Sequence, residues 1–169
     1  WARYNHVCTG AVLMRTEVAR RTGGQREDLR ICEDLEFWAM LATCGPWGFI
    51  PEILFTSDGG VVTRKTGWLA KNRQRWASAV PLVEWERRLK TRIPAGLLPG
   101  YQKVCGRIAR NLSYSLLLSG RIEMARREVL QYGDAFPPHR LNRVWRMAAR
   151  NAFLWRVWCN FLTRREKQR

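Results

Sequence analysis

The feature that most restricts the fold of this sequence is an apolar periodicity that runs through residues 101–163. Apolar residues recur there every three or four positions, a spacing that places them on one face of an α-helix. Glycines and prolines separate the periodic stretches. We therefore predict an αα-hairpin over residues 101–132 and a last helix from Leu141 to about Thr163.

The first half of the chain has the mixed pattern of an α/β domain. Residues 8–15 and 48–56 are short, apolar and rich in β-formers, which predicts two strands. Helices are predicted from Thr16 to the Gly23-Gly24 pair, over residues 33–43, and over residues 66–90 with a break near Pro81.

A segment with two prolines and two glycines, residues 91–100, separates these two patterns and predicts a linker. The predicted organisation is therefore an α/β part over residues 1–90, the linker, and an all-α tail over residues 101–169.

Charge divides the chain in a similar way. Residues 1–65 carry eight basic and eight acidic side chains, whereas residues 66–169 carry the remaining 22 of 30 basic and 6 of 14 acidic ones. The basic surplus of the second part predicts an anionic partner, such as a membrane surface, a nucleic acid or a phosphorylated substrate.

The five cysteines form no Cys-x-x-Cys pair, and only His6 and His139 could assist them in binding metal. This pattern argues against a zinc site and a disulfide framework. Unpaired thiols among apolar residues are typical of a reducing compartment, so we expect the chain on the cytoplasmic side.

Four short segments within residues 9–54 occur in the order found in family 2 glycosyltransferases. Each is weak alone, but four in this order are more specific. The chain thus resembles the acceptor-side half of a GT-A type catalytic domain, which implies a partial GT-A fold followed by the helical tail. The matching segments are Thr9-Gly10-Ala11-Val12-Leu13, Gly23-Gly24, Ile31 to Trp38 and Ile50 to Leu54.

The resemblance implies roles for the residues that open the third segment. The aspartate of the family's Glu-Asp pair is the general base of an inverting transfer, which would be Asp34, with Glu33 orienting the acceptor. A positioned carboxylate can take the proton of a hydroxyl as it attacks the anomeric carbon. Interaction of these acids with the helix dipole is the alternative. Contacts with substrate are implied for Thr9, Gly10 and Trp38.

Residues 72–76 resemble the Gln-x-x-Arg-Trp motif of processive members such as cellulose and hyaluronan synthases. Asn replaces the glutamine, so we expect a non-processive transferase. The resemblance implies that Trp76 stacks on a sugar and that Arg73 or Arg75 steadies the leaving diphosphate. Packing of Trp76 in the core is the alternative. The glycine-rich loop that ends at Arg64-Lys65 would fold over the diphosphate, with a plain surface loop as the alternative.

The sequence contains no Asp-x-Asp, the motif through which family members hold the nucleotide and a divalent metal. It also begins at Trp1 and not at a methionine, so we expect a donor-binding half upstream. The resemblance implies that Mg²⁺ or Mn²⁺ is held by that half, with no metal ligand in this chain. It also implies that the chain alone is inactive.

The tail combines regularly spaced arginines with tryptophans. A helix of this kind suits the interface of an anionic bilayer. Burial of the tryptophans in a helical domain is the alternative. The residues predicted to meet a membrane surface are Arg143, Arg146, Arg150, Trp155 and Trp158.

The expected function is transfer of a sugar from a nucleotide sugar to a glycan or lipid-linked hydroxyl acceptor, in cell-envelope, exopolysaccharide or O-antigen type synthesis. The sequence contains no run of about 20 apolar residues that could span a bilayer. The basic, tryptophan-rich tail predicts a peripheral place at the inner face of the membrane. The alternative is a basic nucleic-acid-binding or membrane-surface helical adaptor without catalysis. Nucleic acid is the less expected partner, because the basic part lacks helix-turn-helix, zinc and RNA-recognition signatures.

Overall fold

The computed structural model describes residues 7, 9–29, 32–53, 56, 74 and 76–167, and every regular element within them is helical. Short 3-10 turns occur at Thr9–Ala11, Lys90–Arg92, Ala95–Leu97 and Gly133–Ala135. The α-helices are α1 (Thr16–Arg21), α2 (Glu33–Ala42), α3 (Leu82–Trp85), α4 (Leu98–Leu118), α5 (Ile122–Tyr132), α6 (Arg140–Ala149) and α7 (Ala152–Lys167).

The predicted α/β class with a partial GT-A fold is wrong, because no strand occurs among the described residues. Residues 9–11 form a 3-10 turn, and residues 12–15 and 48–53 have irregular backbone. Their apolar side chains are largely exposed: Leu13 is 98% exposed and Ile53 is 91% exposed. A β-forming composition produces a strand only where a neighbouring strand and a packing surface are available.

The helix predictions after residue 98 are confirmed, with one change. The predicted hairpin is formed by α4 and α5, whereas the predicted last helix is divided into α6 and α7. Asn151 explains the division, because its Oδ1 accepts hydrogen bonds from the backbone N–H groups of Phe153 and Leu154 at 2.9 and 3.1 Å. These bonds satisfy donors that the first turn of a helix leaves unpaired.

The helices α1 and α2 also form where the sequence predicts them, and α1 ends before Gly23-Gly24. Both glycines have positive φ, 82° and 66°, which a residue with a side chain rarely adopts. The helix predicted over residues 66–90 is not continuous: its first part, residues 66–73, lies outside the described residues, and Ala77 to Pro81 form a turn and irregular backbone before α3.

The main hydrophobic core contains residues from both sides of the predicted linker, residues 91–100. Leu82, Trp85 and Leu89 before this segment belong to the same buried cluster as Ile108 and Leu112 after it. The two predicted parts, residues 1–90 and 101–169, therefore contact each other through apolar side chains.

Candidate functional site

The helix α2, which carries the predicted catalytic carboxylates, lies between two apolar clusters. Met40 belongs to the main core. On another side, Phe37, Trp38 and Leu41 form a smaller cluster, against which Val18 of α1 packs. Burial on both sides fixes the rotation of α2 about its axis.

The start of α2 is held by a residue from α3. Cys32, directly before the helix, has a left-handed backbone conformation with φ of 63°. Its carbonyl oxygen accepts a hydrogen bond of 3.1 Å from Nε1 of the buried Trp85. A bond between residues 53 positions apart thus places the first turn of α2 against α3.

The two predicted catalytic carboxylates, Glu33 and Asp34, are partly exposed in this first turn. Oδ1 of Asp34 accepts a hydrogen bond of 2.8 Å from the backbone N–H of Leu35. This N–H is one of the unpaired donors at a helix N-terminus, where a negative charge is favoured. The Asp34 carboxylate therefore has a defined position and remains accessible to a ligand.

Two residues after Asp34, α2 carries a buried acid. The Glu36 side chain is 0% exposed and forms a two-bond ion pair with Arg88, whose Nε and Nη2 donate to the two carboxylate oxygens at 2.7 and 2.6 Å. Two parallel bonds of this kind restrain orientation as well as distance. Arg88 therefore restrains α2 two residues after Asp34.

The same guanidinium reaches the turn that follows α1. Arg88 donates to the carbonyl oxygens of Thr22 and Gly24 at 3.4 and 3.1 Å. A Cβ on Gly23 would lie 3.2 Å from Nη1 of Arg88, so the Gly-Gly pair permits this close approach as well as the end of α1. Arg88 connects α2, the α1 turn and the segment after α3.

A second buried arginine organises the loop before α2. Arg26 forms a bidentate pair with Asp28 and donates from Nη1 to the carbonyl oxygen of Glu84. The guanidinium hydrogen bond lowers the pKa of Asp28 to about 2, so this acid stays charged at neutral pH. The loop is thereby attached to α3.

The structure describes four of the remaining predicted substrate contacts, Thr9, Gly10, Trp38 and Trp76. Trp38 is 2% exposed in the smaller cluster and cannot stack on a sugar in this conformation. Thr9 and Gly10 lie in the 3-10 turn before α1. Trp76 is half-buried against the main core, as in the packing alternative, and Arg121 donates to its carbonyl oxygen at 3.4 Å. The other predicted contacts, Arg64, Arg73 and Arg75, lie outside the described residues.

Sequence reasoning did not identify Arg88, Trp85 or Arg26 as supports of the site. A signal was present for Arg88: Glu36 lies one turn before Met40, on a side of α2 where an acid would be buried. A buried acid requires a cation or hydrogen-bond donors. The identity of that cation could not be read from the sequence, because Arg88 is 52 residues away.

An apolar groove of about 630 Å³ runs beside the C-terminal half of α2. Ala39 lies five residues after Asp34, which corresponds to roughly 7.5 Å along a helix axis. The groove is lined mainly by apolar side chains, among them Ala39, Ala42, Leu89, Ile93, Leu97 and Tyr101.

A separate polar cluster is buried between α3, α4 and α5. Both carboxylate oxygens of Glu86 accept hydrogen bonds, from Tyr132 Oη at 3.1 Å and from Tyr101 Oη at 3.2 Å. Burial raises the pKa of the neighbouring Cys105 thiol to about 12 and that of the Glu128 carboxyl to about 7. These values favour neutral forms at or below neutral pH, which is consistent with a structural cluster.

The predicted membrane-facing residues divide into two groups. Arg143 and Arg150 are exposed, and Arg146 is partly exposed beside Asp134 at 3.0 Å. Trp155 is 0% exposed and donates from Nε1 to the carbonyl oxygen of Ile122 at 2.7 Å, while Trp158 is mostly covered by the core. Trp155 cannot contact a lipid in this fold.

The described residues contain no group of three or more His, Cys, Asp or Glu that could hold a metal ion. None of the helices in the described part of the chain is long and apolar enough to cross a bilayer. No protein-family model, no curated protein and no solved structure matches the chain.

Proposed function

We propose that this chain supplies the general base, Asp34, of an inverting glycosyltransferase that uses a nucleotide-sugar donor. The observation that carries the proposal is the accessible Asp34 carboxylate, held in a defined position at the start of a helix that polar bonds fix on two sides. Defined geometry of this kind is what a catalytic base requires.

The proposed step is a single displacement at the anomeric carbon. The acceptor hydroxyl gives its proton to the Asp34 carboxylate as its oxygen forms the new C–O bond. The bond between the anomeric carbon and the phosphate oxygen breaks, and the nucleoside diphosphate leaves with the electron pair. Glu33 lies beside Asp34 and would orient the acceptor through hydrogen bonds to its other hydroxyls.

Donor binding is assigned to residues other than those the structure describes. Arg64, Arg73 and Arg75 are proposed to meet the diphosphate, because a guanidinium pairs well with phosphate oxygens. The divalent cation that the resemblance implies finds no cluster of ligands among the described residues and would be held elsewhere in the protein.

The apolar groove beside α2 favours a lipid-linked acceptor over a free glycan. Its lining offers an apolar chain a surface that it does not offer to a hydrated sugar. Synthesis of cell-envelope glycans at the cytoplasmic face of a membrane is the proposed setting. Free thiols at Cys105 and Cys159 are compatible with a reducing compartment there.

A helical adaptor without catalysis is the second candidate. The helical character of the described residues and the exposed basic side chains of α6 and α7 favour it. It gives no role to the positioned Asp34, so substitution of that residue separates the two candidates.

The test measures sugar transfer by the natural protein, in a membrane extract, from radiolabelled UDP-, GDP- and dTDP-sugars. We expect Asp34→Asn to lower kcat by about 10² to 10⁴, the contribution of a general base, with donor binding unchanged. The matched control is Glu27→Gln, which removes an exposed charge in the loop before α2 and should retain full turnover.

Two results would overturn the proposal. The first is no transfer by the wild-type protein from any of these donors, which would favour the adaptor. The second is turnover by Asp34→Asn within a few-fold of the wild type.

A further inference from the structure

The helices α6 and α7 leave an apolar strip on the surface. Val144 and Met147 of α6 meet Leu154, Val157 and Phe161 of α7 along an open groove of about 460 Å³. Met147 is 62% exposed, and the three α7 side chains are each about half exposed. The strip is therefore available to a partner.

Helical periodicity shows that this strip faces away from the core. Along α7, Trp155, Cys159 and Leu162 are buried and lie on one face. Leu154, Val157 and Phe161 lie on the opposite face at the same spacing of three and four. Of the two tryptophans predicted from the sequence to face the membrane, Trp155 thus belongs to the buried side, whereas the partly buried Trp158 lines the groove beside the aliphatic residues and Phe161 of the outer side.

Exposed arginines border the strip on both helices. Arg143 and Arg150 lie four residues before and three residues after Met147, and Arg164 lies three residues after Phe161, so all three are exposed neighbours of the strip. Within the described part of the chain, none of these three forms an ion pair with a carboxylate. Their positive charges are available for an external partner.

Very little negative charge opposes them. Residues 140–167 carry eight Lys or Arg side chains and a single acid, Glu166. The Glu166 side chain is 1% exposed and lies 3.6 Å from Arg165, so it does not present its charge on the surface. The two helices together present a positive surface with an apolar centre.

We infer that this strip and its arginine borders, named the α6–α7 face, dock on the surface of an anionic lipid bilayer. A bilayer interface offers apolar chains beneath a layer of phosphates, which matches an apolar strip between two basic borders. A nucleic acid backbone would pair with the arginines but would leave Met147, Val157 and Phe161 uncovered. This inference does not depend on the sugar transfer proposed for Asp34, because binding alone tests it.

The test is flotation of the full chain with vesicles of phosphatidylcholine alone and of phosphatidylcholine with phosphatidylglycerol. We expect binding to the anionic vesicles only. The triple variant Arg143→Gln, Arg150→Gln and Arg164→Gln should lower the affinity on the order of 100-fold, because each basic residue near the surface contributes. Its matched control removes three exposed arginines elsewhere, Arg20→Gln, Arg92→Gln and Arg127→Gln, and should lose less than about tenfold.

A second triple variant tests the apolar strip. Met147→Ser, Leu154→Ser and Val157→Ser should also weaken binding to anionic vesicles at least about tenfold, since the buried apolar area contributes to interfacial binding. The control changes three exposed apolar residues elsewhere, Leu13→Ser, Phe49→Ser and Ile53→Ser, and should bind as the wild type does. Circular dichroism checks that all the variants keep their helices.

Three outcomes would overturn the inference. An equal loss of affinity for anionic vesicles in both arginine triple variants would show that binding depends on net charge and not on the α6–α7 face. Binding of the full chain to duplex DNA but not to vesicles would identify a nucleic acid as the partner. A dimer in light scattering that only the strip variant dissociates would show that a second copy of the chain covers the strip.

Discussion

The α2 region and the α4–α7 region are both helical, but different interactions hold them. The long α4 buries a continuous apolar face, including Ile108, Leu112 and Leu116, against its neighbours. The ten-residue α2 also packs against two apolar clusters, and directional bonds from Arg88 and Trp85 add to this packing. Apolar burial covers a face of a helix, whereas bidentate and indole hydrogen bonds also restrain the position of individual groups, which a catalytic carboxylate needs.

The largest expected effect tests how closely the α4–α7 region is packed. A Cβ on Gly106 would lie 1.9 Å from the carbonyl oxygen of Ala135, a backbone atom that cannot move aside. We expect Gly106→Ala to lower the free energy of unfolding by more than about 5 kcal/mol, measured by urea denaturation. Gly100→Ala is the control on the same helix, because nothing lies within 4 Å of its Cβ, and it should be unchanged or slightly more stable. Similar stabilities of the two variants would show that the backbone at Ala135 does not approach Gly106 as closely as the structure has it.

The next effect tests whether polar bonds hold α2. Arg88→Met would leave the buried Glu36 carboxylate without its cation, at a cost of about 3 to 5 kcal/mol. Hydrogen exchange should show faster opening of α2 than of α4. Adding Glu36→Gln should recover much of the loss, because no charge then remains buried.

The matched control for this prediction is Arg87→Met. Arg87 is exposed and lies 3.5 Å from Glu84, a surface pair of little energetic value, so the variant should be as stable as the wild type. Equal losses for Arg87→Met and Arg88→Met would contradict the assignment of α2 positioning to Arg88.

The smallest of the three effects concerns Glu128, the buried acid of the polar cluster around Glu86. Burial raises the pKa of Glu128 from 4.5 to about 7, so the folded state binds its proton more tightly than the unfolded state does. The contribution of protonated Glu128 to the free energy of unfolding is fully present below about pH 4.5. This contribution is lost as the pH rises through about 7. Glu128→Gln should therefore be more stable than the wild type by about 2 to 3 kcal/mol at about pH 8, with little difference at about pH 4.5.

Urea denaturation over this pH range checks the sign of the change. Glu123→Gln, on the same helix but with a half-exposed side chain, is the control and should follow the wild-type profile. If the stability of Glu128→Gln changed with pH in the same way as that of the wild type, Glu128 would have an ordinary affinity for its proton in the folded protein.

Much of the helical structure could be predicted from the sequence, while the candidate site could be predicted only in part. The apolar spacing of α4 and α5 and the Gly23-Gly24 stop after α1 are local signals, and the structure has these elements where the sequence placed them. In the described parts of the two predicted strands, residues 9–15 and 48–53, no strand forms, because β-formers need a partner strand to pair with. Asp34 was located by its neighbours in sequence, but its supports, Arg88 and Trp85, are distant in sequence.

By itself, the sequence determined where α1, α2, α4 and α5 form and which charges the helices carry, since helix formation and capping depend on residues a few positions apart. Only the tertiary structure decided which side of each helix is covered. It buried Trp155 and left Met147 and Val157 exposed, and it brought Arg88 to Glu36. Such contacts join residues far apart in the chain, so they depend on how whole helices pack and not on the local spacing that a sequence displays.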